Sequence, residues 1–358
     1  MAVLGHHGHH GHHGHHGHHG HVGGTGSPLL SAAVASSAEG VMGYWDGSPS
    51  RDPVPGTSGW EAFSRLGPAF RMVALRHAVA PHFWCSSDAG RLVLSLDAGR
   101  LPILDMSPPT KADLRAQLVH LRSAADLRAD RMSEILVQQD DMLSFYASQF
   151  YLDPERKKWT LTLLGAVYEA VVVPEIQFKL MVSAPRPIDF TQQVQPVIPT
   201  PLTSAWPSGH ATEAFAFATT LALLDIAAAG GAPTGRTLQE RLSTGQVATL
   251  MPFRLAARIA DNRTVAGVHF PSDSAHGALL GLSTALGFAA LCAPDKTEVP
   301  KLLANGPDWK DYFTLDRWLH ALGNSWQNGS AEVAKGSGDP LLGELWSRAV
   351  SEWKADLA

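Results

Sequence analysis

Three stretches of this sequence carry residue types able to hold and attack a small tetrahedral anion. The central one is Trp206-Pro207-Ser208-Gly209-His210-Ala211-Thr212. A Trp-Pro pair favours extended backbone, and the Ala- and Phe-rich run after it favours helix, so a loop feeds a helix N-terminus here. The N–H groups of that terminus and the positive end of its dipole make an anion site. Ser208 adds a hydroxyl donor, Gly209 lets an oxygen approach the backbone, and His210 titrates near neutrality. On its own, Ser-Gly-His at a helix start also reads as an ordinary cap.

The second stretch runs from Lys179 to Arg186-Pro187. Pro185 and Pro187 stop a helix, which sets Lys179 near the helix terminus with Arg186 just beyond it. Both charges can converge on one anion, or stand as a surface Lys and a loop Arg. The third stretch is Asn262-Arg263 followed by His269-Phe270-Pro271-Ser272-Asp273. Gly267 offers a helix end and Pro271 a helix start. A helical turn would stack His269 on Asp273, whose carboxylate takes one ring N–H and leaves the other nitrogen bare. A bare, oriented imidazole suits a nucleophile or a metal ligand, and a capping His and Asp is the plainer alternative.

Taken together, Lys-x6-Arg-Pro, then Pro-Ser-Gly-His, then Arg-x5-His-x3-Asp resembles the signature of type 2 phosphatidate phosphatases, bacterial nonspecific acid phosphatases and vanadium-dependent haloperoxidases. The resemblance covers about 155–292, with Asn262 standing where the pattern has Ser. It implies an all-α helical bundle of the vanadium haloperoxidase and acid phosphatase type. It further implies that His269 bonds to the central atom, as nucleophile on phosphorus or as ligand to vanadium, and that Asp273 orients it. Lys179, Arg186, Ser208, the Gly209 N–H and Arg263 would bind vanadate or phosphate oxygens, and His210 would act as general acid and base. One cradle serves both chemistries, because phosphoryl transfer passes through the five-coordinate arrangement that vanadate holds.

Of the two, the sequence leans to a vanadate-dependent haloperoxidase oxidising halide with hydrogen peroxide and passing halogen to a small organic acceptor. The grounds are the lack of an evident membrane span, the long helical region ahead of the motif, and a Gly-Val-His-Phe context similar to bacterial haloperoxidase-like proteins. The alternative is a phosphomonoesterase with a phosphohistidine intermediate and no cofactor. Haloperoxidases often place an aromatic residue or His just ahead of the Pro-Ser-Gly-His loop; Leu202, Thr203 and Ser204 stand there instead. Trp206 either walls the pocket or packs in the core. A non-catalytic oxyanion-binding protein is a third reading, disfavoured by His210, which simple anion binding does not need.

Around these stretches the pattern is helical. Helices are expected as one or two short pieces over Trp60–Ala80, over 111–150 in two segments, from Asp153-Pro154 to about Met181 with a kink or interruption at Pro174, and at about 210–229, 236–249, 252–263, 270–291 and 308–323. A last helix runs from Leu341 to the end. Arg91–Asp97 alternates and reads as a strand or hairpin piece. The organisation expected is a His/Gly-rich leader over 1–26, an irregular region over 27–106 and a helical catalytic domain over 107–358. Eleven of the 18 histidines lie in the Gly-His-His tract, which reads as a purification tag or a metal-capturing tail. His77, His82 and Cys85 are close in sequence but match no standard zinc spacing.

The chain has 358 residues, 45% hydrophobic and 17% charged, enough to bury a large core. A net charge of −5 without a basic stripe excludes nucleic acid as a partner. Two cysteines build neither a disulfide framework nor a metal cluster. The longest uncharged apolar run, Gly277 to Ala293, is short for a span and reads as a buried helix, so no integral membrane span is expected. Without a visible signal the location expected is cytoplasmic, or periplasmic or secreted if the leader replaced one. A homo-oligomer is compatible with all of this.

Overall fold

The structure, a computed structural model, describes residues 28–51, 59–97, 99–293, 295–305, 309, 311–326, 329–334 and 338–357. The Gly-His-His tract lies outside them. The chain opens with α1 (Pro28–Met42), α2 (Trp60–Arg65), α3 (Pro68–Val79) and the strands β1 (Trp84–Asp88), β2 (Arg91–Leu96) and β3 (Leu101–Met106). Helices α4 (Lys111–Ala116), α5 (Leu118–Ala124), α6 (Arg128–Val137) and α7 (Leu143–Phe150) follow, then α8 (Lys158–Val182) and the single turn α9 (Pro187–Phe190). After a long loop come α10 (Gly209–Ala228), α11 (Gly235–Ser243), α12 (Val247–Val265) and α13 (Pro271–Cys292). The chain closes with β4 (Thr297–Pro300), β5 (Leu302–Ala304), α14 (Leu315–Ser325), β6 (Ser330–Val333) and α15 (Pro340–Leu357).

Helices carry the architecture, as the all-α expectation required. At its centre α10 packs against α13, α12 and α8. Both α10 and α13 are apolar on every side, which is the pattern of a helix with no solvent face. Two glycines let them touch. A Cβ built at Gly277 would lie 2.5 Å from the Ser208 carbonyl oxygen, and one at Gly281 would run into the Thr212 carbonyl. The Pro-Ser-Gly-His loop therefore rests directly on the first turns of α13.

Two small sheets flank the bundle. β1, β2 and β3 form an antiparallel meander that β5 extends in parallel, and β4 pairs with β6. The meander lies on the C-terminal half of α13, where Ser283 Oγ donates to the Ile103 carbonyl at 3.3 Å.

Several expectations are corrected. The region read as irregular, 27–106, holds α1–α3 and β1–β3, of which the sequence reading had one or two short helices over Trp60–Ala80 and a strand piece at Arg91–Asp97. The 111–150 helix breaks into four short helices. Pro174 sits inside α8 without ending it. The boundary expected near 250 falls at Thr244–Gln246, with Gly245 at φ +68°, while Pro252 is accommodated in the second turn of α12.

The most consequential correction concerns the membrane. The segments Lys158–Phe190, Gly209–Ala228 and Pro271–Cys292 are each long and apolar enough to cross one. The sequence reading measured only the uncharged run from Gly277. The helix begins six residues earlier, and its polar residues bond within the protein, as Thr284 Oγ1 does to the Leu280 carbonyl at 2.8 Å. The same segments are largely enclosed by the bundle, α13 throughout its length. The expectation of no integral membrane span does not stand, and three candidate spans favour membrane association over a cytoplasmic location.

Candidate active site

The two cations of the first motif are set by the end of α8. At its other end, the Glu352 carboxylate of α15 accepts from the N–H groups of Trp159 (2.7 Å) and Thr160 (2.8 Å), capping the helix from a distant element. At the C-terminus Ser183 adopts φ 49° and donates its N–H to the Lys179 carbonyl at 3.1 Å. Lys179 Nζ donates to the Ser204 carbonyl at 2.9 Å and lies 3.7 Å from Glu175 Oε1, one helical turn back. Arg186 starts the α9 turn, its N–H donating to Asp189 at 2.7 Å. Its guanidinium donates to the carbonyls of Thr203 (3.0 Å), Ser204 (3.2 Å) and Val268 (2.9 Å). Thr203 and Ser204, which stand where haloperoxidases often carry an aromatic residue or His, thus anchor both cations.

The Pro-Ser-Gly-His loop starts α10 as expected. Ser208 is the N-cap; its N–H donates to the Asp273 carbonyl at 3.0 Å, and its Oγ accepts a long bond from Ala211 N at 3.5 Å. Gly209 has no room for a side chain, because a Cβ there would run into the Glu175 carboxylate. His210 is half-buried, whereas Lys179, Arg186, Ser208, Gly209, Arg263, His269 and Asp273 are all buried. His210 is therefore the one of the eight that solvent reaches, although its Nε2 is enclosed. Trp206 proves to be core, stacked on Phe178 at 6.4 Å and edge-on to His276 at 5.4 Å.

Arg263 lies in the last turn of α12. Its Nη2 donates to the Ile135 carbonyl and to Gln138 Oε1, both at 3.2 Å, while Nε and Nη1 are buried with no hydrogen-bond partner. Burial draws this guanidinium down to about 10, opposed by the charge of Glu213. Asn262, in place of the pattern's Ser, donates to Gln138 at 2.9 Å and Glu134 at 3.1 Å and so ties α12 to α6. The partly exposed Glu134–Arg258 pair beside it adds about 1 kcal/mol at most.

Gly267, at φ +83°, turns the chain out of α12, and Phe270 caps α13. One oxygen of Asp273 accepts from Phe270 N at 2.8 Å and faces His269 Nδ1 at 3.3 Å. With Nδ1–H directed at the carboxylate, Nε2 holds the lone pair, and Arg186 Nη1 donates to it at 3.1 Å. Burial pushes the His269 pKa well below its ordinary value, and Arg186, Lys179, His210 and Arg263 push it the same way. Five groups from four separate segments thus act on one another at a single locus, with His269 neutral at their centre.

Residues 159–296 match the PAP2 superfamily. The chain carries a PAP2 superfamily domain. This family is the phosphatase and haloperoxidase superfamily, so enzymatic catalysis of phosphatase or haloperoxidase type is the function class. No curated protein matches the chain. The PAP2 domain spans α8 to α13, and α6 with the Gln138 that ends it lies outside that span yet supplies the groups that hold Arg263.

Sequence reasoning missed Gln138, Glu175 and Glu213, and the carbonyls of Ile135, Thr203 and Ser204. Among the described residues no group of three or more His, Cys, Asp or Glu side chains converges as a cation site. Burial pushes the Cys85 thiol up to about 12, which keeps it protonated at neutral pH.

Proposed function

We propose that the PAP2 domain hydrolyses phosphomonoesters through His269. The observation that carries this reading is a neutral imidazole held by Asp273 on one nitrogen, with its other nitrogen among Arg186, Lys179, Arg263 and His210. An entering phosphate takes the Arg186 hydrogen bond from Nε2 and frees the lone pair. Nε2 then attacks phosphorus, the bond to the ester oxygen breaks, and the half-buried His210 protonates the departing oxygen. Water attacks the phosphohistidine, giving its proton to His210, and the P–N bond breaks to release phosphate. Lys179, Arg186, Arg263, Ser208 Oγ and the Gly209 N–H meet the charge that spreads over the three equatorial oxygens.

The haloperoxidase reading leaned in part on the absence of a membrane span, and that ground is gone. It retains one supporting observation: Arg263 keeps two buried, partnerless nitrogens, a donor set that fits a resident oxyanion such as vanadate. Lys179, Arg186, Ser208, Gly209 and Arg263 would hold the oxygens and His269 the metal. Bound vanadate supplies a Lewis-acid centre for peroxide activation.

One purified sample tests both. Phosphatase chemistry predicts p-nitrophenyl phosphate hydrolysis that vanadate inhibits and that His269→Ala abolishes while the fold persists. Vanadate-dependent dye bromination by peroxide and bromide, with no ester hydrolysis, would replace this reading with the second. Full hydrolysis by the His269→Ala variant would remove His269 from the mechanism.

A further inference from the structure

The anion pocket is not purely cationic. Glu175 and Glu213, which belong to none of the three motifs, are buried in its wall. Glu175 sits one turn before Lys179 on α8, its Oε1 3.7 Å from the ammonium, and its carboxylate abuts Gly209 so closely that no Cβ fits between. Glu213 lies one turn into α10 beyond Gly209, within electrostatic reach of Glu175, Lys179 and Arg263. Arg186 in turn feels Glu175 and Asp273. Tyr168, two turns before Glu175 on α8, feels both glutamates. Three cations therefore face three carboxyl groups, those of Glu175, Glu213 and Asp273, around a neutral imidazole.

That balance restricts what can bind. A carboxylate only accepts hydrogen bonds, so it repels an oxyanion that carries no proton. Toward an anion bearing a hydroxyl it becomes a partner, because P–O–H donates to it in a charge-assisted bond. An oxyanion without a proton would set only acceptors against the Glu175 carboxylate, a heavy cost in a buried site.

We propose that Glu175 makes this pocket select oxyanions that carry a hydroxyl group, such as hydrogen phosphate and phosphomonoester monoanions, over equally shaped anions without one, such as sulfate. This rests on the reading of the pocket as the oxyanion site. Glu175 acts as a specificity-determining residue: set against the Gly209 backbone and 3.7 Å from Lys179, it admits the anion form that brings its own proton.

The test is calorimetric titration of the purified chain with inorganic phosphate and with sulfate at pH 6.5, without turnover, repeated on Glu175→Gln and Glu213→Gln, with thermal melts to establish folding. Wild type should bind phosphate about ten- to hundredfold more tightly than sulfate, the effect of leaving a buried acceptor against an oxygen with no proton. Glu175→Gln, whose amide donates, should tighten sulfate and shrink the ratio to about threefold or less, with a smaller shift in Glu213→Gln. A wild-type ratio near one overturns the proposal, even if neither variant folds. So does a ratio unchanged in folded Glu175→Gln. Failure of wild type to bind either anion overturns the assignment of the pocket itself, and the selectivity with it.

Discussion

Gly277 is where the site can be moved without touching any group that does chemistry. A methyl group there would sit 2.5 Å from the Ser208 carbonyl oxygen, 3.2 Å from Ser208 N and 3.1 Å from the Ala211 Cβ. Ordinary contact begins at 3.4 Å, so Gly277→Ala falls about 0.9 Å short of the room it needs against Ser208 O. The obstructing atom is backbone at the start of a largely buried helix and cannot swing aside as a side-chain tip would. Relief requires α10 and α13 to part at the loop that holds Ser208, Gly209 and His210. The parting also loosens the Ser208 N–H bond to the Asp273 carbonyl, 3.0 Å long in the native chain. A displacement near 1 Å between catalytic groups lowers rate by about a hundredfold. Overpacking costs about 1–3 kcal/mol, offset by about 1 kcal/mol of helix propensity gained by replacing Gly. Gly277→Ala should therefore lose far more activity than stability. The assay is kcat/KM on p-nitrophenyl phosphate beside the thermal midpoint, with Gly287→Ala as control. At Gly287 the nearest atoms are side-chain ends of Ile103, Phe83 and Leu96 at 3.2–3.4 Å, far from the site, and they can yield. Wild-type kcat/KM in Gly277→Ala would refute the claim that this helix crossing sets the loop.

Arg263→Ala should weaken phosphate binding by about ten- to hundredfold, since it removes charge-assisted bonds from a buried anion; unchanged affinity by calorimetry would put the pocket elsewhere. Gln138→Ala should weaken the same binding by a smaller factor, because it frees Arg263 and Asn262 of a shared acceptor without removing a cation; an effect as large as that of Arg263→Ala would mean that α6 contributes more than orientation. Burial holds His269 below its ordinary pKa, so on acidification the unfolded chain takes up that proton first. Its contribution to stability is thus intact above about pH 6.5 and declines below it; melts from pH 8 to 5 should fall more steeply for wild type than for His269→Gln, and equal slopes would show that His269 is not held neutral.

What the sequence revealed follows from how each part is encoded. Lys179, Arg186, the Pro-Ser-Gly-His loop, Arg263, His269 and Asp273 are each tied to a helix terminus, and termini are written locally in Pro, Gly and capping residues. Their spacing therefore carried through to the geometry: Arg186 opens α9, Ser208 caps α10, Gly267 closes α12, and Asp273 sits at the third position of α13. The groups that were not legible act across the fold. Gln138 reaches Arg263 from 125 residues away, and Glu352 caps α8 from 193 residues away. Nothing near either residue marks it as other than a polar residue on a helix. The membrane question failed for a related reason. Ser, Thr and Gly in α13 look like interruptions when hydropathy is read along the chain, yet Thr284 bonds backward along the helix, Ser274 and Ser283 bond across to neighbouring elements, and Gly277 and Gly281 let α10 approach, so the segment is continuous in space. Glu175 and Glu213 are the sharpest case. A carboxylate at those positions looks like an ordinary solvated charge in sequence, and only the meeting of α8 with α10 turns the two into part of an anion's surroundings. The motifs supply the cations and the packing sets Glu175 beside them, so on the proposed reading the motifs mark an oxyanion site and the packing governs which protonation state of the anion enters.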